Sequence, residues 1–327
     1  MIDPGEDMTA TGDGLVASGG GLAASERDAT ARRGKPSPAL RVAVVFATRG
    51  RAEILATTVA MLARQTRQPD EILISAVSAE DLGPLQFDSG VRCVLGEPGL
   101  PRQRNAAIRE LGSRADIIVF FDDDFFPHPD WIRAVERYFL AHPSVAAITG
   151  HVVADGIHGP GLTVQQALRI MDEGLKGGVP LTVERYSPYG CNMAFRFEAI
   201  KDLYFDERLV LYGWLEDRDF GGALLKRGGK SIKLGTAIGV HLGAKEGRVS
   251  GRRLGYSQIV NPFYLHRKGT MTTFSLVQHL FRNVTSNVLR SIAPERHIDR
   301  TGRLYGNVRG VRDLLSGIMA PERAEFL

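Results

Sequence analysis

The sequence predicts an α/β chain, a mostly parallel sheet flanked by helices and followed by a C-terminal helical extension. Three observations carry this. Apolar runs of strand length alternate with helix-patterned segments from Leu40 to Phe121. The last of these runs, Ile117–Ile118–Val119–Phe120–Phe121, ends in Asp122–Asp123–Asp124. From Arg248 onward, apolar residues recur at helical spacing in a basic background. Strands alternating with helices over about 85 residues form right-handed βαβ units, whose sheets bind ligands beyond the carboxyl ends of the strands.

Residues 1–38 are rich in Gly, Ala, Ser and Asp without an apolar core segment, and are expected to be a disordered leader. An α/β domain is expected over 39–247 and a basic, mostly helical extension over 248–327. Within the domain, Arg41–Ala47 reads as a strand buried on both faces, broken at Thr48–Arg49–Gly50–Arg51. A helix follows with Leu55, Val59 and Leu62 on one face, stopped by Pro69. Glu71–Ser75 and Val91–Leu95 are the second and third strands, and Pro101 to Gly112 is a helix with Pro in its first turn and Gly past its end. Ile117–Phe121 is the fourth strand. Thr48–Arg51, Ser75, Gly99–Asn105 and Asp122–Asp124 thus share one edge of the sheet.

A chain of 327 residues holds one large domain with an appendage or two domains, and its 43% apolar and 24% charged composition is that of a soluble globular protein. Cys93 and Cys191 match no zinc or redox spacing, which implies a reducing, cytoplasmic compartment. No stretch is long and apolar enough to span a bilayer. The net charge of +4 conceals an asymmetry: Arg248–Leu327 holds 13 Lys/Arg against 5 Asp/Glu, a balance of +8, leaving −4 before it. An anionic partner is implied for the tail; it carries no nucleic-acid motif, and a membrane surface or lipid phosphate suits it better.

An unpaired buried carboxylate costs several kcal/mol, so three at the tip of a buried strand are solvated, paired or metal-bound. Oxygen ligands suit Mg²⁺ and Mn²⁺, which commonly arrive with phosphates. Strand alternation puts Asp122 and Asp124 on one side and Asp123 on the other. The competing reading is a solvated turn before the helix that Pro127 and Pro129 introduce.

Four segments together resemble glycosyltransferase family 2, which has the GT-A nucleotide-sugar-binding fold, over roughly Val42 to Gly243. Thr48–Arg49–Gly50–Arg51 is similar to the family's Thr-x-Asn-Arg turn, and Gly99–Asn105 to its Gly-x-x-x-x-Arg-Asn segment. Asp122–Asp123–Asp124 is similar to its DxD motif, and Glu216–Asp217, opening a helix that ends at Gly228, to its catalytic Glu–Asp pair. Tyr189–Arg196 resembles its Gly-x-Asn-Met-Ala stretch. The resemblance implies an inverting transferase that moves a sugar from a nucleoside diphosphate to a glycan or lipid-linked acceptor, as in polysaccharide and cell-envelope biosynthesis. It implies Asp217 as general base and a metal, Mg²⁺ or Mn²⁺, on Asp124 with Asp122 as a second candidate ligand and His241 completing the set. Thr48, Arg49, Arg51, Ser75, Arg102, Arg104, Asn105, Asp122 and Asp123 are the implied nucleotide contacts. Ser75 stands where the family typically has a base-reading Asp, so UDP is the default donor with dTDP and GDP open.

Each residue has a plainer reading. Arg102 and Arg104, near a helix N-terminus that favours anions, suit phosphate but would also serve as solvated surface arginines. Glu216 and Asp217 would complement a helix dipole, with Asp219 the alternative base. A lone histidine such as His241 is often structural. Phe274, Val277, Phe281, Val284, Val288 and Ile292 form one helical stripe, and Val308, Val311, Leu315 and Ile318 a second; a basic amphipathic helix lies on an anionic membrane or packs on its own domain. The competing functions are a haloacid-dehalogenase-type phosphatase, whose motif wants Thr or Val where Phe126 stands, and a non-catalytic nucleotide-sugar-binding module.

Overall fold

Strands β1 (Val42–Ala47) and β4 (Ile117–Asp122) are unbroken apolar runs because helices cover both faces of the sheet; Val42–Phe46 and Ile117–Phe121 are entirely buried. They pair in parallel, with Ala47 opposite Asp122. Strand β2 (Glu71–Ala76) lies parallel on the other side of β1, and β3 (Arg92–Leu95) forms an edge with largely exposed side chains. The computed structural model describes residues 39–157, 159–173, 180–185, 187–245, 249–292, 295 and 298–327. The expected leader, 1–38, lies outside the described residues, and Arg41–Leu327 form one compact unit.

The remaining strands are β5 (Phe125–Pro127), β6 (Val145–Asp155), β7 (Val183–Glu184), β8 (Asn192–Arg196) and β9 (Lys230–His241). The sheet order is β3-β2-β1-β4-β8-β6-β9-β5, with β7 beside β9. One reversal positions the site. Strand β8 runs antiparallel to β4 and β6, so the turn that starts it reaches the edge where β4 ends; the Asp122 amide donates to the Cys191 carbonyl at 3.1 Å. Strand β9 runs parallel to β6 and brings His241 opposite Asp155, and antiparallel to β5, with His241 opposite Phe125.

Helices α1 (Ala52–Leu62), α2 (Leu100–Leu111), α3 (Trp131–Ala141), α4 (Val164–Glu173), α5 (Phe197–Ile200) and α6 (Glu216–Lys226) accompany the sheet. Aromatic rings fill the layer between sheet and helix: Phe205 stacks on Phe220 at 4.1 Å between centroids, and Phe120 meets Phe205 edge-on at 5.8 Å.

The extension comprises α7 (Gly251–Lys268), α8 (Thr273–Ile292) and α9 (Arg300–Leu315); Ile318, expected within the last helix, follows it. Glycines explain how closely α7 and α9 cross. A Cβ on Gly255 would lie 2.1 Å from the Arg303 carbonyl oxygen, and one on Gly306 would lie 2.1 Å from that of Arg252. A buried polar network adds geometry to this packing. The Asn287 amide donates to Gln258 at 2.8 Å and to Asn307 at 3.0 Å, while Asn307 donates to the Gly255 carbonyl at 2.7 Å. The extension also grips the α/β part. Lys268 pairs with Asp206 at 2.7 Å and Asp219 at 2.6 Å, and the Asn261 amide donates to the Trp214 carbonyl at 2.8 Å. The reading in which the apolar stripe of α8 packs on the domain is thereby corrected: Phe274, Val277, Phe281, Val288 and Ile292 are exposed, and it is a different face, through Leu276 and Leu280, that packs with Leu209, Trp214 and Leu215. No helix among the described residues is long and apolar enough to cross a membrane.

This junction carries a pH-dependent contribution to stability. His279 of α8 is edge-on to Trp214, 5.8 Å between centroids, and burial together with Arg218 and Arg282 pushes its imidazole down to about 4 from 6.5. Between those values the unfolded chain binds a proton that the folded one rejects, so stability is present above pH 6.5 and is lost as pH falls through 4. Acidification from neutrality to about pH 5 is expected to cost on the order of 1–2 kcal/mol through this group. Thermal denaturation of His279→Gln beside the native chain at both pH values checks it; an equal loss in the variant would rule out this origin.

Candidate active site

Asp122 ends β4, Asp123 and Asp124 follow it directly, and the three separate by side. A ligand oxygen or nitrogen from each of Asp122, Asp124 and His241 lies within 4.8 Å of the others. His241 Nε2 is 3.2 Å from Asp124 Oδ1, and its Nδ1 is 3.0 Å from Asp155 Oδ1. Tyr189 in turn donates its hydroxyl to Asp155 Oδ2 at 2.7 Å. The Ala244 amide donates to Asp124 Oδ2 at 2.7 Å. Asp123 turns the other way, accepting from the Thr48 hydroxyl and from Arg51 Nη1, each at 2.9 Å.

The electrostatics follow these contacts. Burial pushes Asp124 up, but His241, Arg51 and the Ala244 amide outweigh it and hold the carboxyl down at about 2. Burial lifts Asp123 to about 6 against the pull of Arg51 and Thr48. Asp122 is also raised, by burial and by Asp124, with Arg104 and His241 opposing. Burial works to deprotonate His241, yet Asp124 and Asp155 together raise it well above the usual imidazole range.

A second cluster adjoins the first through Arg104. Its side chain is 2% exposed, and its guanidinium contacts Glu216 Oε1, Asp122 Oδ1 at 3.1 Å and the Gly190 carbonyl at 2.9 Å. The rings of Phe120 and Phe205 lie 5.7 and 5.5 Å from it. The Gly190 amide donates to Asp217 Oδ2 at 2.8 Å, and the Arg218 amide to Asp217 Oδ1 at 2.7 Å. A Cβ on Gly190 would stand 3.3 Å from Glu216, 3.4 Å from Asp217 and 3.5 Å from Arg104, so glycine lets the three groups close around the turn. Burial, with Asp217 and Asp122 adding to it and Arg104 opposing, pushes Glu216 up to about 8. Helix α6 begins at Glu216, with Asp217 and Asp219 in its first turn, after Leu215 in the left-handed region at φ 72°. Such a backbone costs about 1 kcal/mol or more for a side-chain-bearing residue. Asp219 is bound by Lys268 and by the Thr270 hydroxyl at 2.5 Å.

The other expected nucleotide contacts are dispersed. Ser75 is buried at the end of β2, where the Gln103 amide donates to its carbonyl at 2.9 Å and to that of Thr48 at 2.7 Å. Asn105 is buried and engages the Phe205 backbone and Glu207, at 2.8 to 2.9 Å. Arg102 is partly exposed and 3.4 Å from Glu97, and Arg49 is exposed. Sequence reasoning missed Asp155, Tyr189 and Gln103. Asp155 closes the strand β6 as Asp122 closes β4, which is a signal a strand-end search would have found; Tyr189 and Gln103 lie inside segments singled out in the sequence, but nothing local marks their side chains for these roles.

Residues 43–204 match the family model described as glycosyl transferase family 2. The chain belongs to that family. It is a GT-A-type transferase, and α6, β9 and the extension follow the matched segment. Solved structures agree on the fold. The crystal structure of S. aureus TarS 1-349 has 15% sequence identity and a TM-score of 0.51 over 88% of this chain and 83% of that one. The same protein in complex with UDP-GlcNAc has 13% identity and a TM-score of 0.54 over 88% and 84%. Mannosyltransferase PcManGT from Pyrobaculum calidifontis, in complex with GDP-Man and Mn²⁺, has 15% identity and a TM-score of 0.50 over 87% and 85%. No curated protein sequence matches the chain.

Proposed function

We propose that this glycosyltransferase moves a sugar, with inversion, from a nucleoside diphosphate to a hydroxyl of a glycan or lipid-linked acceptor, with Asp217 as the general base. The observation that carries this reading is the linkage of two clusters: Asp122, offered with Asp124 and His241 around one point, is joined through Arg104 and Gly190 to Asp217. Asp217 accepts from two backbone amides, which fix its carboxylate in orientation while its side chain stays partly exposed. In that position it would take the acceptor hydroxyl's proton as the oxygen attacks the anomeric carbon opposite the leaving diphosphate.

The donor set fits a hard divalent cation. Two carboxylates and an imidazole suit Mn²⁺ or Mg²⁺, and the Asp155 contact to His241 Nδ1 is the arrangement that orients a metal-binding imidazole. Bound there, such a cation would stabilise negative charge on the departing diphosphate. Arg51, ion-paired with Asp123 and 4.0 Å from Asp124, adds positive charge at the same edge. The complexes of TarS with UDP and UDP-GlcNAc and of PcManGT with GDP-Man and Mn²⁺ support a nucleotide-sugar donor and a metal. UDP-sugars are the first donors to test. The phosphatase alternative is not favoured, since the DxD carboxylates lie inside the family match.

Isothermal titration of UDP, GDP and dTDP, with and without Mn²⁺, tests the donor site. One nucleotide is expected to bind only with metal, and Asp124→Ala is expected to abolish that binding while the fold persists by circular dichroism. Binding of no nucleotide in the presence of metal would overturn the assignment.

A further inference from the structure

Ten of the twenty large apolar side chains exposed among the described residues lie on α8 and α9, and an eleventh, Ile318, follows just after α9. Ile292 is 81% and Leu315 84% exposed. Phe274, Val277, Phe281 and Ile292 follow one side of α8, and Val308 and Leu315 one side of α9, while the opposite sides pack inward through Leu276 and Asn287 and through Gly306 and Gly310. A contiguous apolar face of this kind on a soluble chain marks an interaction surface.

The charges select the partner. Helix α8 contains no acidic residue and carries Arg282 and Arg290; the acid within α9, Asp313, is buried against Tyr256 and Arg323, while Arg312 is exposed. In the connection, Glu295 pairs with Arg290 and Arg300, and Asp299 caps α9. The two helices therefore present apolar and cationic groups and no exposed carboxylate. A two-fold contact with a second copy would set this cationic face against itself. We propose that the α8–α9 face docks on the surface of an anionic lipid bilayer, with Phe274, Phe281 and Ile292 entering the headgroup boundary and Arg282 and Arg312 meeting lipid phosphates.

The placement serves the transferase reading, on which only its functional consequence rests. Helix α8 packs through Leu276 and Leu280 on Trp214 and Leu215, immediately before Glu216 and Asp217. Docking there brings the base-bearing helix close to the bilayer, where a lipid-linked acceptor would present its hydroxyl.

Co-sedimentation of the full chain with phosphatidylcholine–phosphatidylglycerol vesicles and with phosphatidylcholine vesicles tests the surface. Binding is expected to the anionic vesicles only, weakened by salt, and about tenfold lower in a Phe274→Ser, Phe281→Ser variant whose metal-dependent nucleotide binding is unchanged. Absence of vesicle binding, or binding that the variant retains in full, would overturn the proposal. So would a dimer of the native chain in analytical ultracentrifugation that the variant dissolves, which would assign the face to a second copy. Nucleotide titration is read separately, so failure of the docking surface and failure of the donor site are distinct results.

Discussion

Asp217→Asn is expected to lower turnover by about 10³-fold, the contribution of a well-placed general base, while nucleotide affinity remains within about twofold of the native value. The substitution is nearly isosteric. An amide oxygen can still accept from the Gly190 or Arg218 amide, so the turn and the start of α6 are retained. What is lost is the capacity to take a proton. A helix-dipole role makes the opposite forecast: removing one charge from the first turn would cost about 0.3–1 kcal/mol of stability and leave turnover nearly intact. Initial rates at saturating donor, beside nucleotide titration and thermal denaturation, separate the two. A variant with native turnover would eliminate Asp217 as the base.

Arg104→Met is expected to destabilise the chain by about 1–3 kcal/mol, because it leaves the buried Glu216 carboxyl, already pushed up to about 8, and the half-buried Asp122 without their shared donor. Glu216 Oε1 and Asp122 Oδ1 both lose a partner, and Glu216 Oε2 has no hydrogen bond among the described residues. The Gly190 carbonyl, which holds the turn beneath Asp217, loses its donor as well. Adding Glu216→Gln should return part of the stability, since an amide cannot ionise at a site whose counter-charge is gone; the shortfall from additivity measures the coupling. Arg104→Lys should restore charge but not reach three acceptors at once, and is expected to be intermediate in stability. Chemical denaturation of the native chain, the Arg104→Met, Glu216→Gln and Arg104→Lys variants and the double variant decides it, and independent, additive effects of Arg104→Met and Glu216→Gln would refute the linkage.

These residues also show where reading the chain succeeds. Fully buried strands are written as continuous apolar runs, so β1, β2 and β4 are legible, and so is the edge at which Thr48 and Asp122 meet. Helix α2 is legible because Pro101 and Gly112 bracket it. Less visible are β5 and β6, whose apolar residues continue from a turn or into a Gly-rich segment, and α7, where Gly251, Gly255 and Pro262 argue locally against a helix. Tertiary packing overrides that propensity: its glycines are the points at which α9 comes close.

By itself the sequence determined the order of elements from β1 to β4, the carboxylates at the end of β4, the Glu216–Asp217 pair and the basic, apolar character of the tail. These follow from residue type and local periodicity. Tertiary structure alone decided the partners. Arg104, equally readable as a solvated phosphate ligand, is buried on Glu216, 112 residues away, and His241 is oriented by Asp155, 86 residues away. It also decided that one side of α8 packs while another stays exposed. The physical reason is common to all three: periodicity records which side chains share a face, whereas the antiparallel insertion of β8 and the docking of α8 beside α6 determine what that face meets.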